Sequence, residues 1–229
     1  MNAMILAAGR GERMRPLTLT TPKPLLHAGG KPLIGYHLEN LRHAGVEKVV
    51  INHSWLGEQI EQTLDDGRDY GVSLVYSAEP EPLETAGGIR QALELLAPEG
   101  QDWFMVINGD VWTDFDLAIL VPPEDPACRA VLVLVPNPPQ HQEGDFTLTE
   151  DGYVVADGGD RLTFAGISLL HRELFAGLAP GYRRLAPVLT EAMASNRVKG
   201  LYHTGVWSDI GTPERLGALD RYLCEKEGR

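Results

Sequence analysis

A chain of 229 residues with 43% hydrophobic and 23% charged side chains can build an ordinary core, in one large domain or two small ones. Its net charge of −12 argues against nucleic acid or an anionic membrane as partner, although clustered cations could still hold a small anion. The two cysteines fit no metal or redox spacing, and no apolar run reaches the roughly 18 residues of a membrane span. With no signal-like run at the amino terminus, a soluble cytoplasmic protein with free thiols is expected.

In chain order, residues 4–7 read as a strand. Residues 32–44 read as a helix that opens on Pro32 and stops before Gly45. A β-branched strand follows over 46–52, a helix over 55–64, a strand over 72–77, a helix over 86–97 closed by Pro98, and a strand over 103–108. This alternation predicts a parallel sheet covered by helices on both faces. Ligands of such sheets lie beyond the carboxyl ends of the strands, where Gly9, Asn52, Ser77 and Asn108 fall.

After residue 116 the pattern changes. A strand over 129–135 ends in Pro-Asn-Pro-Pro. A hairpin joins 145–148 to 153–155 through Asp151-Gly152, and a strand follows over 164–170. A helix over 185–195 and a short strand over 198–202 lead to a final helix, capped by Thr212 with Pro213 at its first position. The second half is expected to extend the same sheet, making a single domain over 1–229.

The strand at 4–7 runs into Gly9-Arg10-Gly11-Glu12-Arg13-Met14. A dinucleotide fingerprint would need a third glycine where Met14 stands, and a Walker A loop would need Gly-Lys-Ser/Thr. The remaining anion-binding reading is a nucleotide loop, in which glycines let backbone N–H groups approach phosphate oxygens. Arg13 and Lys23 would add charge-assisted bonds. For Gly-Arg-Gly alone a plain turn is an equal alternative.

The longer stretch from Leu6 to Ile34 narrows the choice. Its Leu-Ala-Ala-Gly-x-Gly, then Arg13, Pro16-Leu17-Thr18 and Pro22-Lys23-Pro24, resembles the signature of the sugar-phosphate nucleotidylyltransferases. The resemblance implies a Rossmann-like α/β fold with a mixed, mostly parallel sheet flanked by helices. It also implies a nucleoside triphosphate substrate, Mg²⁺, and a sugar 1-phosphate as nucleophile. Residues 1–116 would then be the nucleotide-binding half and 117–229 the sugar-binding half. By the same resemblance Gly9, Gly11, Glu12, Arg13 and Lys23 wrap the nucleotide, and Glu79, Glu84 and Thr85 fall in the segment that meets base and ribose. Glu84 replaces a glycine common in relatives.

Asp110 follows the strand at 103–108, and Asp209 precedes a glycine and a helix cap. Two separated carboxylates at strand ends suit Mg²⁺, which fills its octahedron with water and phosphate. The resemblance makes these two the metal ligands, and Arg13, Lys23 and Asp110 the catalytic residues. Asp114 and Asp116 look instead like the cap and first turn of a short helix. A sugar 1-phosphate is already anionic at neutral pH, so alignment and charge screening suffice and no general base is required. The seven histidines are accordingly read as surface or structural.

For the sugar, the resemblance points to Asn108 and Asp145, with the polar, proline-rich segment 136–148 as a lid. The Glu-Lys-Pro motif whose lysine holds the sugar phosphate in many relatives is missing, which leaves Arg161 as one candidate cation. Within the family the motif set is most similar to members that use UTP and N-acetylmuramic acid 1-phosphate in peptidoglycan recycling, as monomers. The alternatives are a mannose 1-phosphate guanylyl- or glucose 1-phosphate nucleotidylyltransferase, or a nucleotide-sensing domain without turnover.

Overall fold

The computed structural model describes residues 1–226 and Gly228. In chain order β1 (Asn2–Leu6), β2 (His27–Ala28) and β3 (Lys31–Pro32) precede α1 (Leu33–His43). Then come β4 (Lys48–His53), α2 (Gly57–Leu64), β5 (Ser73–Ala78), α3 (Glu84–Gln91), α4 (Leu93–Leu96) and β6 (Trp103–Asn108). The second half holds β7 (Val111–Thr113), β8 (Ala130–Val135), β9 (Phe146–Leu148), β10 (Val154–Val155) and β11 (Arg161–His171). It closes with α5 (Glu173–Ala176), α6 (Leu185–Ala194), β12 (Val198–Tyr202), β13 (Trp207–Asp209) and α7 (Pro213–Lys226).

Among the described residues nine strands form one sheet. β5, β4, β1 and β6 pair in parallel, β11 pairs antiparallel with β6 on one side and β8 on the other, and β12 closes parallel to β8. The β9–β10 hairpin joins the first residues of β11. The sheet is therefore mixed and mostly parallel, and β11 ties the two halves of the chain together.

The pleat explains the sequence pattern. Ala3, Ile5, Val49, Ile51, Met105, Ile107, Val131 and Val133 point to one face, under Ile34, Leu38 and Leu41 of α1 and Ile60 of α2. Met4, Val50, Phe104, Val106, Leu132 and Leu134 point to the other, under α3, α4 and α6. Strands buried on both faces read as continuous apolar runs, as these do. A third cluster packs Met14, Leu26 and Leu33 against Leu216, Leu219 and Leu223 of α7.

Two expectations change. The helix foreseen over 86–97 divides at Ala92, whose φ of −90° and ψ of 5° stop the helical turn. Asp116 caps a short 3-10 turn by accepting from the Ala118 N–H, but Asp114 belongs to no helix. It accepts from the Val206 N–H at 2.8 Å and meets His203 Nε2 at 3.0 Å, which fastens the chain ahead of β13 to β7. Among the described residues no helix is long and apolar enough to cross a membrane.

Candidate active site

β4 lies on one side of β1 and β6 on the other, so the connections leave these strands in opposite directions and open a crevice at their carboxyl ends. The glycine loop enters this crevice. Gly11 has φ 62°, a left-handed conformation, and turns the chain into a 3-10 turn over Glu12–Met14. Its carbonyl accepts from Thr18 Oγ1 at 2.8 Å, and the buried Met14 anchors the turn while Arg13 stays exposed. Lys23 extends across to Asp110, with Nζ 2.7 Å from Oδ2.

The resulting cleft, about 410 Å³, takes Gly9, Gly11, Glu12, Arg13 and Lys23 from one side and Thr85, Asn108 and Asp110 from the other. A cavity of about 210 Å³ adjoins it through Gly9 and Thr85 and adds Glu79 and Glu84. The loop resemblance and the fold thus converge on one place.

Glu79 has another duty there. It is 3% exposed, Oε1 accepts from Asn52 Nδ2 at 2.7 Å, and Oε2 accepts from the Leu83 N–H at 2.9 Å. Asn52 Oδ1 in turn accepts from the Ala7 N–H at 2.9 Å. Glu79 therefore fixes the 80–83 loop to the end of β1 and has no carboxylate oxygen left unbonded. Glu84 is exposed and has φ 61°, in the region where glycine is at ease and other residues are strained.

A second cleft, about 440 Å³, shares Arg13, Asn108 and Asp110 with the first. Its wall is the irregular middle of β11, where the register with β8 shifts between Phe164 and Ser168. Gly166 has φ 73°, and a Cβ there would fall 2.6 Å from Asn108 Nδ2, so the glycine lets the Asn108 amide lie against β11. Asp145 Oδ2 accepts from the Phe164 N–H at 2.8 Å, and Oδ1 lies 3.0 Å from His141 Nε2. Arg161 does not border this cleft; its guanidinium is held by Asp157 at 3.0 Å.

Asp110 and Asp209 meet through a ribbon too short to show in the sequence. β7 pairs antiparallel with β13, which sets Asp209 opposite Val111, and the Ile210 N–H donates to the Asp110 carbonyl at 2.6 Å. Each carboxylate carries a cation: Lys23 on Asp110, and on Asp209 the Arg215 Nη1, at 2.6 and 2.7 Å from the two oxygens. Gln140 Nε2 also donates to Asp209 Oδ1 at 2.6 Å. Among the described residues no three His, Cys, Asp or Glu side chains gather around a possible ion. Two carboxylates are nevertheless what Mg²⁺ takes when phosphate and water supply its other oxygens, so Asp110 and Asp209 fit that ion as donors.

Behind this ribbon His37 of α1 is buried. Burial pulls its pKa down to about 4, against the smaller opposing effects of the Asp110 carboxylate and a hydrogen bond to the Val111 backbone. It is a neutral core residue at pH 7, and among the described residues its Nε2 has no hydrogen-bond partner. Gln140 and His141 lie in the segment read as a lid, but neither they nor Arg215 stood out as site residues; the fold brings Gln140 and Arg215 to Asp209 and His141 to Asp145.

The sequence profile described as Nucleotidyl transferase matches residues 2–164, well over half of the chain. The chain belongs to the nucleotidyl transferase family. This nucleotidyl transferase is an enzyme, and it is 54% identical over 225 residues to the N-acetylmuramate alpha-1-phosphate uridylyltransferase of Neisseria meningitidis serogroup B, covering 94% of this chain and 95% of that one. It is 33% identical to the protein of the same description from Caulobacter vibrioides, over 97% of each. Among solved structures, a putative glucose-1-phosphate thymidylyltransferase from Bacillus anthracis superposes with a TM-score of 0.85. That superposition covers 97% of this nucleotidyl transferase and 95% of the other chain, and at 20% identity it establishes a shared Rossmann-like fold.

Proposed function

We propose that this nucleotidyltransferase moves a uridylyl group from UTP to N-acetylmuramic acid α-1-phosphate, giving UDP-N-acetylmuramic acid and pyrophosphate. The reading places it in the cytoplasm, in peptidoglycan recycling. The observation that carries it is the 54% identity to an enzyme of that description along 94% of the chain. Two clefts that meet at Arg13, Asn108 and Asp110 suit a reaction between two phosphorylated substrates.

In this reading the triphosphate lies on the glycine loop, with Arg13 and Lys23 on its oxygens and the base in the cavity of Glu84 and Thr85. Glu79 acts by holding the loop that forms the cavity. The sugar lies against β11, between Asn108 and Asp145. A phosphate oxygen of the sugar attacks the α-phosphorus; the bond from that phosphorus to the bridging oxygen breaks, and pyrophosphate leaves with the electron pair. Asp110 and Asp209 would hold Mg²⁺, which when bound screens the negative charge of the two phosphates. No side chain has to remove a proton, because the attacking oxygen is already ionised, and the neutral, enclosed His37 suits that.

The test is pyrophosphate release across a matrix of nucleoside triphosphates and sugar 1-phosphates. UTP with N-acetylmuramic acid 1-phosphate should give the highest kcat/KM. A higher value for GTP with mannose 1-phosphate would replace the reading.

A further inference from the structure

We infer that Arg215 is the cation that receives the phosphate of the sugar 1-phosphate, and that Asp209 holds it ready beforehand. The inference rests on reading the second cleft as the sugar site. An incoming phosphate there needs a positive partner, because it must approach a second phosphate, and among the described residues no lysine borders the cleft. Arg161 is turned away onto Asp157. Two guanidinium groups do border the cleft, those of Arg13 and Arg215. Arg13 also borders the nucleotide cleft, whereas Arg215 borders the sugar side alone.

Arg215 stands on the first turn of α7, where its N–H meets the Thr212 hydroxyl at 3.4 Å. Its side chain is 21% exposed, and a single nitrogen, Nη1, spans both oxygens of Asp209. An arginine has five N–H donors in a planar fork, and among the described residues no hydrogen bond uses its Nε or Nη2. A half-engaged fork next to an open cleft can take two phosphate oxygens at once.

Gly211 makes the arrangement possible. A Cβ on it would lie 2.5 Å from Arg215 Nη2, 3.1 Å from Asp209 Oδ2 and 3.2 Å from Arg13 Nη2. Two guanidinium groups and one carboxylate therefore converge where this residue has no side chain. Arg13 faces the nucleotide from there, and Arg215 faces whatever enters beside Asp209. Asp209 fixes the guanidinium while the cleft is empty, so less freedom is lost when phosphate arrives.

The experiment uses the full chain with Arg215→Met and Arg215→Lys. It reads KM for both substrates, and calorimetric Kd for the sugar phosphate in the presence of a non-hydrolysable UTP analogue. The acceptors are N-acetylmuramic acid 1-phosphate and N-acetylglucosamine 1-phosphate, which share the phosphate but not the lactyl carboxylate. Arg215→Met should raise KM and Kd for both acceptors by about 10- to 100-fold, the range for hydrogen bonds to a charged group, with KM for UTP changed less than about twofold. Arg215→Lys should recover part of the loss, since it keeps the charge without the fork. An unchanged acceptor KM overturns the inference. So does an equal rise for UTP, which would mean that Arg215 acts through Asp209, or a rise confined to the muramic acid, which would pair it with the carboxylate. If Arg215→Met does not fold, the acceptor-to-UTP contrast is read on Arg215→Lys. If the wild type prefers another sugar 1-phosphate, the acceptor named above falls while the Arg215 contrast is read on the preferred sugar. A wild type that binds no sugar 1-phosphate overturns both.

Discussion

Arg13 occupies the junction of the two clefts, and its neighbours fix what its loss should do. Arg13→Ala should weaken UTP binding by about 1.5–3 kcal/mol, as expected for hydrogen bonds to a charged group, and leave the fold intact because the side chain is exposed. Calorimetry on the folded variant checks this. The aspartates should behave differently. Asp110→Asn and Asp209→Asn should each lower kcat by about 10² or more, as when one preorganised electrostatic group is removed. Single-turnover rates at saturating Mg²⁺ are the measurement, and near-normal turnover in either variant would free that residue from the metal. Glu84 is a third case. With φ 61° it bears backbone strain that glycine would not, and among the described residues its side chain has one hydrogen bond, to the Tyr182 hydroxyl at 3.2 Å. Glu84→Gly should therefore unfold at the same temperature as wild type or higher, worth up to about 1 kcal/mol. A midpoint several degrees lower would show that the Tyr182 contact outweighs the strain.

At the scale of elements, α1 carries a pH dependence. The pKa of His37 in the folded chain is about 4, below its ordinary 6.5. As pH falls through 6.5 the unfolded chain takes up a proton that the folded chain refuses. Stability is then lost between about pH 6.5 and 4, by about 3 kcal/mol in all. Urea midpoints followed against pH should fall more steeply for wild type than for His37→Leu in that window. The loop after β5 offers a second test. Glu79→Gln would turn an amide N–H toward one of two donors, Asn52 Nδ2 or the Leu83 N–H. It should cost about 1–3 kcal/mol and raise KM for UTP without touching the sugar.

These elements also show what a sequence can disclose. Long strands such as β4, β6 and β8 were legible because both faces are buried and their middles are unbroken apolar runs. The glycine loop was legible through the whole stretch from Leu6 to Ile34, which resembles the family signature, and not through Gly-Arg-Gly alone. β7 and β13 were not, since three residues are too few for a period to emerge, and their pairing depends on the rest of the sheet. Arg215 was hidden for the same reason: on one helical turn a cation before an apolar face reads as ordinary surface. Glu79 lines the cavity beside the glycine loop, but a carboxylate that braces a loop cannot be told in sequence from one that faces a ligand.

At the scale of the whole molecule, the site belongs to no single half. The glycine loop comes from residues 9–14, the floor from β1 and β6, the wall of the second cleft from β11, and one carboxylate from β13. α7 closes the arrangement by packing on Met14, Leu26 and Leu33 and accepting the Gly29 N–H on Asp220 at 2.8 Å. Ribosomes make chains from one end, so the glycine loop emerges long before the helix that covers its underside. A nascent chain stopped at residue 204 would hold Asp110 and the loop but lack Asp209, Arg215 and the apolar cover of Met14. Its loop should be cut early by a protease while the sheet resists, and it should not retain UTP. Competence would thus arrive in one step, only once β13 and α7 have emerged, so that a chain stopped before them draws no nucleotide from the cell.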